Sequence, residues 1–265
     1  MKTTLMAAVA AAAFITAGCS SKTGTEIVWL CGKVAGQPLA LFPDADSALT
    51  ESLGLVDAVP SSMSAFLVRK DGKLLMFDTG YGHPDGGVRL GLDSSGISPM
   101  DIDYLYITHF HGDHIGGMLD EAGNPVYTNA AVYASQAEYD AWMNMPPERN
   151  TQAVKTMDAY RDRLHLFAPG DTLPCGVIAV DAAGHTPGHT AYQVDDILVW
   201  GDIIHGLALQ FEHPEICAVY DMDKQASIAA RKRLIRYAED NGLLVAGMHL
   251  PSGFLDFPGA GQVAE

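Results

Sequence analysis

Four side chains able to ligate a metal fall within six residues, in the run His109-Phe110-His111-Gly112-Asp113-His114. Imidazole nitrogens and carboxylate oxygens are donors that Zn²⁺ and similar divalent ions accept, and a catalytic ion with an open position needs only about three of them. The surplus points to two adjacent ions. Further donors stand in Asp78-Thr79-Gly80, Gly184-His185-Thr186-Pro187-Gly188-His189, Gly201-Asp202 and Met248-His249-Leu250. The chemistry open to such a set is hydrolysis, because a divalent ion lowers the pKa of a bound water from about 16 to about 7 and polarises the oxygen of the bond under attack.

Donors scattered so widely must be delivered by strands. The apolar run 104–108 reads as a buried strand, so the histidine run falls where a strand ends and a loop begins. Residues 26–30, 64–69 and 73–77 also read as strands, the last two joined in a hairpin at Asp71-Gly72, and Asp78 ends the second. Ser98-Pro99 predicts a short helix before residue 104. Residues 131–134 form a strand, and 136–144 and 151–163 form helices parted by Pro146-Pro147. Strands follow at 164–167, 177–181, 191–194, 197–200 and 216–220, and 243–247 is the last. Residues 223–241 make a helix capped by Asp223 and closed by Asn241-Gly242. Its apolar stripe is Ile228, Leu234, Ile235 and Ala238, with Arg231, Lys232, Arg233 and Arg236 on a solvated face. Each candidate ligand thus follows a strand or sits in a turn, and loops at one edge of layered sheets can converge.

Composition bounds the class. The chain has 265 residues, 48% apolar and 18% charged with 27 glycines, which describes a globular protein rich in turns. Its formal net charge of −16 repels polyanions and argues against a nucleic-acid partner. Residues 1–19 read as an export signal: Lys2 precedes an apolar run at 5–15, too short to span a bilayer, which ends in Thr16-Ala17-Gly18-Cys19. That ending resembles a lipobox, with Thr16 where Leu is usual. Cys19 is then the lipid attachment site and a membrane anchor, residues 20–25 a tether and 26–265 a single hydrolase domain. Ser20 in place of Asp favours an outer-membrane lipoprotein facing the periplasm or the cell surface. Cys31, Cys175 and Cys217 have no metal-ligand spacing and read as small buried hydrophobes.

The ordered set His109, His111, Asp113, His114, then His185, Asp202 and His249 resembles the metallo-β-lactamase-fold hydrolases, over residues 26–258. The resemblance implies an α/β fold, the four-layer αββα sandwich. It also implies His109, His111 and His185 around one ion, Asp113, His114 and His249 around the other, Asp202 bridging them, and a metal-bridged hydroxide as nucleophile. His111, where a Glu would stand in the di-iron flavoprotein branch, favours zinc. The true β-lactamases of this fold lack the bridging Asp, so Asp202 favours the lactonase, esterase, phosphotriesterase and thioesterase branches. Residues 199–205, 208–211 and 245–251 look most like the methyl parathion hydrolase and lactonase group. Three residues after the bridging Asp, quorum-quenching homoserine lactonases carry a pocket Tyr; this chain has His205, either a donor to a leaving oxygen or a support.

Around the centre, Asp78 is expected to orient a ligand imidazole and His189 to support the His185 loop. Phe110, Trp142 and Phe211 are the expected substrate-pocket walls, Trp142 foremost, with Met63, Leu207, Met248 and Phe254 as further apolar candidates. His83, His165 and His213 read as surface residues. The expected protein is a two-zinc hydrolase of lactones or activated carboxylic or phosphate esters. Its catalytic groups are Asp113, Asp202 and His205, its substrate is a small molecule, and a homodimer is left open. The rivals are a β-lactam hydrolase and a metal-holding surface lipoprotein without turnover.

Overall fold

Successive residues of β3 (Ala58–Lys70) point into two different buried layers: Ala65 and Leu67 into one, Phe66 and Val68 into the other. The same alternation runs along β2 (Glu26–Pro38) and β4 (Lys73–Phe77), as expected of strands covered on both faces. The structure, a computed structural model, describes residues 16–20, 25–83 and 86–257. The export signal and tether expected from the sequence lie outside the described residues, apart from β1 (Thr16–Ser20), which pairs antiparallel with β2.

Seven strands form the first sheet in sequence order, β1 to β4 followed by β5 (Tyr104–Tyr106), β6 (Ala131–Ser135) and β7 (Leu164–Phe167). The chain is antiparallel up to β4 and parallel from β4 to β7. The second sheet holds β8 (Thr172–Leu173), β9 (Val177–Asp181), β10 (Thr190–Val194), β11 (Ile197–Val199), β12 (Leu244–Ala246) and β13 (Phe254–Asp256). Its spatial order is β13-β12-β11-β10-β9-β8, and β11 and β12 are parallel.

Seven α-helices complete the described chain: α1 (Ser47–Ser52), α2 (Gly87–Ser94), α3 (Gly112–Ile115), α4 (Gln136–Met143), α5 (Pro147–Ala159), α6 (Leu207–Gln210) and α7 (Lys224–Asn241). One core lies between the first sheet and α2, α4 and α5, with Val88, Trp142 and Met157 meeting Val28, Leu67 and Leu105. A second lies between the sheets, where Trp29, Phe77 and Tyr106 face Tyr192, Val199 and Met248. A third joins the second sheet to α7 through Leu198, Trp200 and Leu234. This is the expected αββα order of layers.

The structure changes several local expectations. β2 and β3 run well beyond the short segments read from the sequence, with an irregularity between Cys31 and Lys33. The helix crossing to β5 is α2; Ser98-Pro99 caps only a single 3₁₀ turn. Pro146-Pro147 does part α4 from α5, but Pro147 already opens α5, ahead of the expected start at 151, since a proline at the first helical position gives up no hydrogen bond. Residues 216–220 form no strand; their backbone bonds scattered partners, the Ile216 carbonyl accepting from Gln210 Nε2 and Arg231 Nη1, Ala218 N donating to Asp221 and Val219 N to the Leu41 carbonyl. β13 follows the strand expected to be last. Arg231 is buried rather than solvated, and the stripe α7 buries is Ser227, Ala230, Arg231, Leu234 and Ala238, with Ile228 and Ile235 half-buried. Cys217 is buried as expected, whereas Cys31 and Cys175 are half-buried, and all three are free thiols. Among the described residues no helix is long and apolar enough to cross a membrane.

Candidate metal centre

The C-terminal ends of two parallel pairs, β4 with β5 and β11 with β12, open toward the same edge of the sandwich. Asp78 follows β4, the histidine run follows β5, Asp202 follows β11 and His249 follows β12, while His185 and His189 lie in the loop between β9 and β10. His111 stands just before α3, and Asp113 and His114 sit inside that helix. Gly201 makes the turn into Asp202 at φ +59°, and a Cβ there would come within 2.3 Å of His189 Nε2. Only glycine meets both demands.

Two groups of donors result, His109, His111, His185 and Asp202, and Asp113, His114, Asp202 and His249, each with its donor atoms within 4.8 Å of one another. Asp202 belongs to both. Its carboxylate lies between 3.1 and 3.7 Å from ring nitrogens of His109, His114, His185, His205 and His249. These are buried, whereas His111 and Asp113 are half-buried and form the open side.

Outer acceptors fix which nitrogen of each ring faces inward. His114 Nδ1 lies 2.6 Å from Asp78 Oδ2, His185 Nδ1 lies 2.9 Å from Asp221 Oδ1, and His249 Nδ1 lies 2.7 Å from the Ser62 carbonyl. His109 Nδ1 is 3.0 Å from Thr108 Oγ1, whose own proton goes to Asp78. With their Nδ1 protons committed outward, these rings present Nε2 to the centre. Asp78 therefore does orient a ligand imidazole. Buried His189 supports the His185 loop as expected, bonding the Ala182 carbonyl at its base through Nδ1, and also accepts the Asp202 backbone N–H at 3.1 Å, which ties that loop to the one carrying Asp202.

These donors suit divalent cations. Burial pushes His109 and His185 well below the ordinary imidazole range and His111 down to about 4, so all three are neutral and offer lone pairs. Yet His111 Nδ1 sits 2.9 Å from both His109 Nε2 and His185 Nε2, an arrangement in which the rings cannot all satisfy one another without a positive charge among them. Burial would also lower His114 and His249, but the charges of Asp202 and Asp113 carry both upward, His249 to about 9. Burial opposes ionisation of Asp202, and the charges of His114 and His249 overcome it and hold its carboxyl well below the ordinary range. His114 Nε2 and Asp202 Oδ1 are buried without a hydrogen-bond partner, the mark of ligand atoms without their ion.

A cleft of about 220 Å³ opens on the centre; Gln37, Met63, Tyr81, His205 and Tyr220 wall it, and no Lys or Arg lines it. The His205 backbone is fixed by Gln210 and Ser61, its ring stacks on His249 with centroids 5.1 Å apart, and its Nδ1 has no partner. The expected aromatic walls lie elsewhere. Phe110 packs beside Trp142 under the first sheet, and Trp142 stands edge-on behind His111 while donating Nε1 to Glu138. Phe211 packs on Phe257 in the third core. Phe254 packs at a tilt against Phe66 and Met248 is buried between the sheets; of the apolar candidates, Met63 lines the cleft. Met63 and Tyr81 also line a neighbouring cavity of about 770 Å³, with Val88, Leu119, Val126 and Tyr127, which holds none of the donors.

Sequence reasoning missed two buried acids. Asp221 braces His185, and its only hint was its place just before the Asp223 helix cap. Glu138 accepts from Phe110 N, Trp142 Nε1, Thr186 Oγ1 and Gly188 N, tying the loops of both histidine segments to α4. The signal for it was Trp142 one helical turn later, an indole N–H in need of an acceptor.

The profile of the Metallo-beta-lactamase superfamily matches residues 59–249. A hydroxyacylglutathione hydrolase of Methylobacillus flagellatus is 32% identical over 143 residues, covering 53% of this chain and 47% of that protein. The chain thus spans about half the length of the curated relatives it matches. Among solved structures, the hydrolase AbOPH of the beta lactamase superfamily superposes with a TM-score of 0.81 at 26% identity, covering 93% of this chain and 94% of that one. AidC, a dizinc quorum-quenching lactonase, superposes with a TM-score of 0.78 at 25% identity over 89% of this chain and 95% of its own.

Proposed function

Since this chain belongs to the metallo-beta-lactamase superfamily, we propose that it is a hydrolase holding two divalent ions, zinc by its imidazole-rich donors, that cleaves lactones or activated carboxylic or phosphate esters. The observation that carries this reading is the pair of donor groups joined by Asp202 at the floor of a cleft. Ions bound there would supply Lewis acidity and an activated water. The protein's own groups do the rest. Asp113, on the open side, is placed to accept a proton from the attacking water and return it to the leaving oxygen. Burial, and then the charge of Asp113, raise the pKa of Tyr220, so its phenol stays a hydrogen-bond donor for a substrate oxygen. His205, with Nδ1 uncommitted, offers a second polar contact at the cleft wall.

A cleft without Lys or Arg favours neutral substrates, and the neighbouring cavity that shares Met63 and Tyr81, with Val88, Leu119 and Val126 beside the charged Lys33, Arg89, Asp120 and Glu121, offers room for a hydrophobic portion. Turnover by the zinc-loaded protein of lactones of graded chain length, aryl esters, a phosphotriester and a chromogenic cephalosporin tests the proposal. Lactones or esters should be hydrolysed fastest; a cephalosporin turned over faster than any of them would overturn it, and two bound ions with no hydrolysis at all would leave a binding protein. On the same panel, His205→Leu should keep both ions and shift relative rates among substrates by about tenfold, the worth of one hydrogen bond. Loss of metal instead would make His205 structural. Lipid anchoring at Cys19 enters the proposal on residues 1–19 alone, and failure of a radiolabelled fatty acid to mark the chain would remove it.

A further inference from the structure

Asp221 and Arg231 form a buried ion pair that lies outside the cleft and touches the centre through one residue. Asp221 Oδ1 is 2.9 Å from His185 Nδ1, and Oδ2 accepts from Arg231 Nη2 at 3.1 Å and from Ala218 N at 3.2 Å. Arg231 spends its other N–H groups on backbone carbonyls, with Nε on Ile203 at 2.8 Å and Nη1 on Pro214 at 2.7 Å and Ile216 at 3.0 Å. Both side chains are essentially inaccessible, 1% and 0% exposed. His185, His205 and Asp221 approach one another closely enough to suggest a third ion site, but Asp221's oxygens already serve three donors. The group is a brace.

We infer that Asp221, locked in place by Arg231, is a positioning residue for one of the two ions only, the one that His109, His111 and His185 would hold. The inference rests on the two-ion reading above and adds to it that the His185 side of the centre has a brace of its own, independent of Asp78. Asp221 hydrogen-bonds no ligand but His185. On the other half, His114 is held by Asp78, itself fixed by Thr108 N and Oγ1, and His249 is held by the Ser62 carbonyl. The Asp78 brace also reaches His109 through Thr108 Oγ1, whereas the Asp221 brace reaches His185 alone. Loss of a carboxylate behind a ligand histidine costs about 10- to 100-fold in metal affinity. Because Asp221 reaches a single ligand, its loss should fall on the ion that His185 would hold, whereas loss of Asp78 falls on His114 first and on His109 through Thr108.

The test is zinc content after equilibration against a graded chelator, for the wild type, Asp221→Asn, Asp78→Asn and the variant carrying both. Asp221→Asn leaves Arg231 without its counter-ion, so Asp221→Asn combined with Arg231→Gln, which removes both charges, is measured beside it. The wild type should release two ions. Asp221→Asn, with or without Arg231→Gln, should release one at about 10- to 100-fold weaker chelation and keep the other at the wild-type position; Asp78→Asn should weaken chiefly the ion that His114 would hold, with a smaller effect on the other through Thr108 and His109, and the combination of the two acids should release both early. If Asp221→Asn leaves both steps unmoved, weakens both equally, or adds nothing to Asp78→Asn, the inference is overturned while the two-ion reading stands. A wild type that takes up no zinc overturns the two-ion reading itself, and this inference with it.

Discussion

Asp202→Ala should abolish zinc binding at the shared position and lower turnover by about 10³-fold or more. A group that neutralises both ions contributes several kcal/mol to holding them and to the transition state they stabilise, and each 1.4 kcal/mol is about a factor of ten. The structure makes the dependence sharp because Asp202 is the one carboxylate common to both donor groups and lies within 3.7 Å of five imidazoles. Asp202→Asn is the control for shape: it retains volume and an acceptor oxygen but not the charge, and should lose nearly as much. Zinc content and kcat/KM measured on the same preparations check this. Wild-type turnover in the alanine variant would remove the shared carboxylate from the mechanism.

Glu138→Ala should be the most damaging change outside the donor set. Its two oxygens take four hydrogen bonds of 2.6 to 2.9 Å, two from each flanking group: Phe110 N and Trp142 Nε1 on one, Thr186 Oγ1 and Gly188 N on the other. Burial raises the Glu138 carboxyl, and the donors from Phe110, Thr186, Gly188 and Trp142 pull it back, as an anion in a dry cage requires. Alanine leaves those buried donors unpaired at about 1–3 kcal/mol each before relaxation, so a net loss of about 3 kcal/mol or more is expected. For a domain of this size that lowers the melting temperature by about 10 °C. Glu138→Gln should fall between, since an amide accepts on one side only. Thermal unfolding of the metal-free variants measures the effect apart from ion binding; a shift below about 2 °C for the alanine variant would show that the loops hold themselves.

What could be read from the sequence divides by physical cause. His109 to His114 were legible because metal ligation constrains residue type and local spacing together, and His185, Asp202 and His249 followed from their order behind strands and turns. Layer order came with the resemblance that those ligands carry, and residues such as Phe66 and Leu67, which alternate between two cores, agree with it. The pocket was not. Phe110, Trp142 and Phe211 are large apolar side chains that could sit in a core or on a rim, and only tertiary packing decides between the two. Asp221, Glu138 and Arg231 escaped for a related reason: a charged residue on or beside a helix looks solvated until its partners, up to 50 positions away for Glu138 and Gly188, are brought to it. The 216–220 segment has the composition of a strand, yet its backbone is bonded piecemeal, the Ile216 carbonyl by Gln210 and Arg231, Ala218 N by Asp221 and Val219 N by the Leu41 carbonyl, an outcome that local propensity cannot foresee.

The way the donors are shared between the sheets has a consequence for the energetics of the whole domain. Each group takes members from both layers: His109 and His111 with His185 and Asp202 in one, Asp113 and His114 with Asp202 and His249 in the other. Neither layer alone can complete a site, so an ion bound to either group favours only the state in which the two sheets are docked. By mass action an ion present at a hundred times its dissociation constant adds about 2.7 kcal/mol to that state. Zinc supply would therefore set the protein's folded lifetime as well as its activity, through two rivets across the seam between its halves.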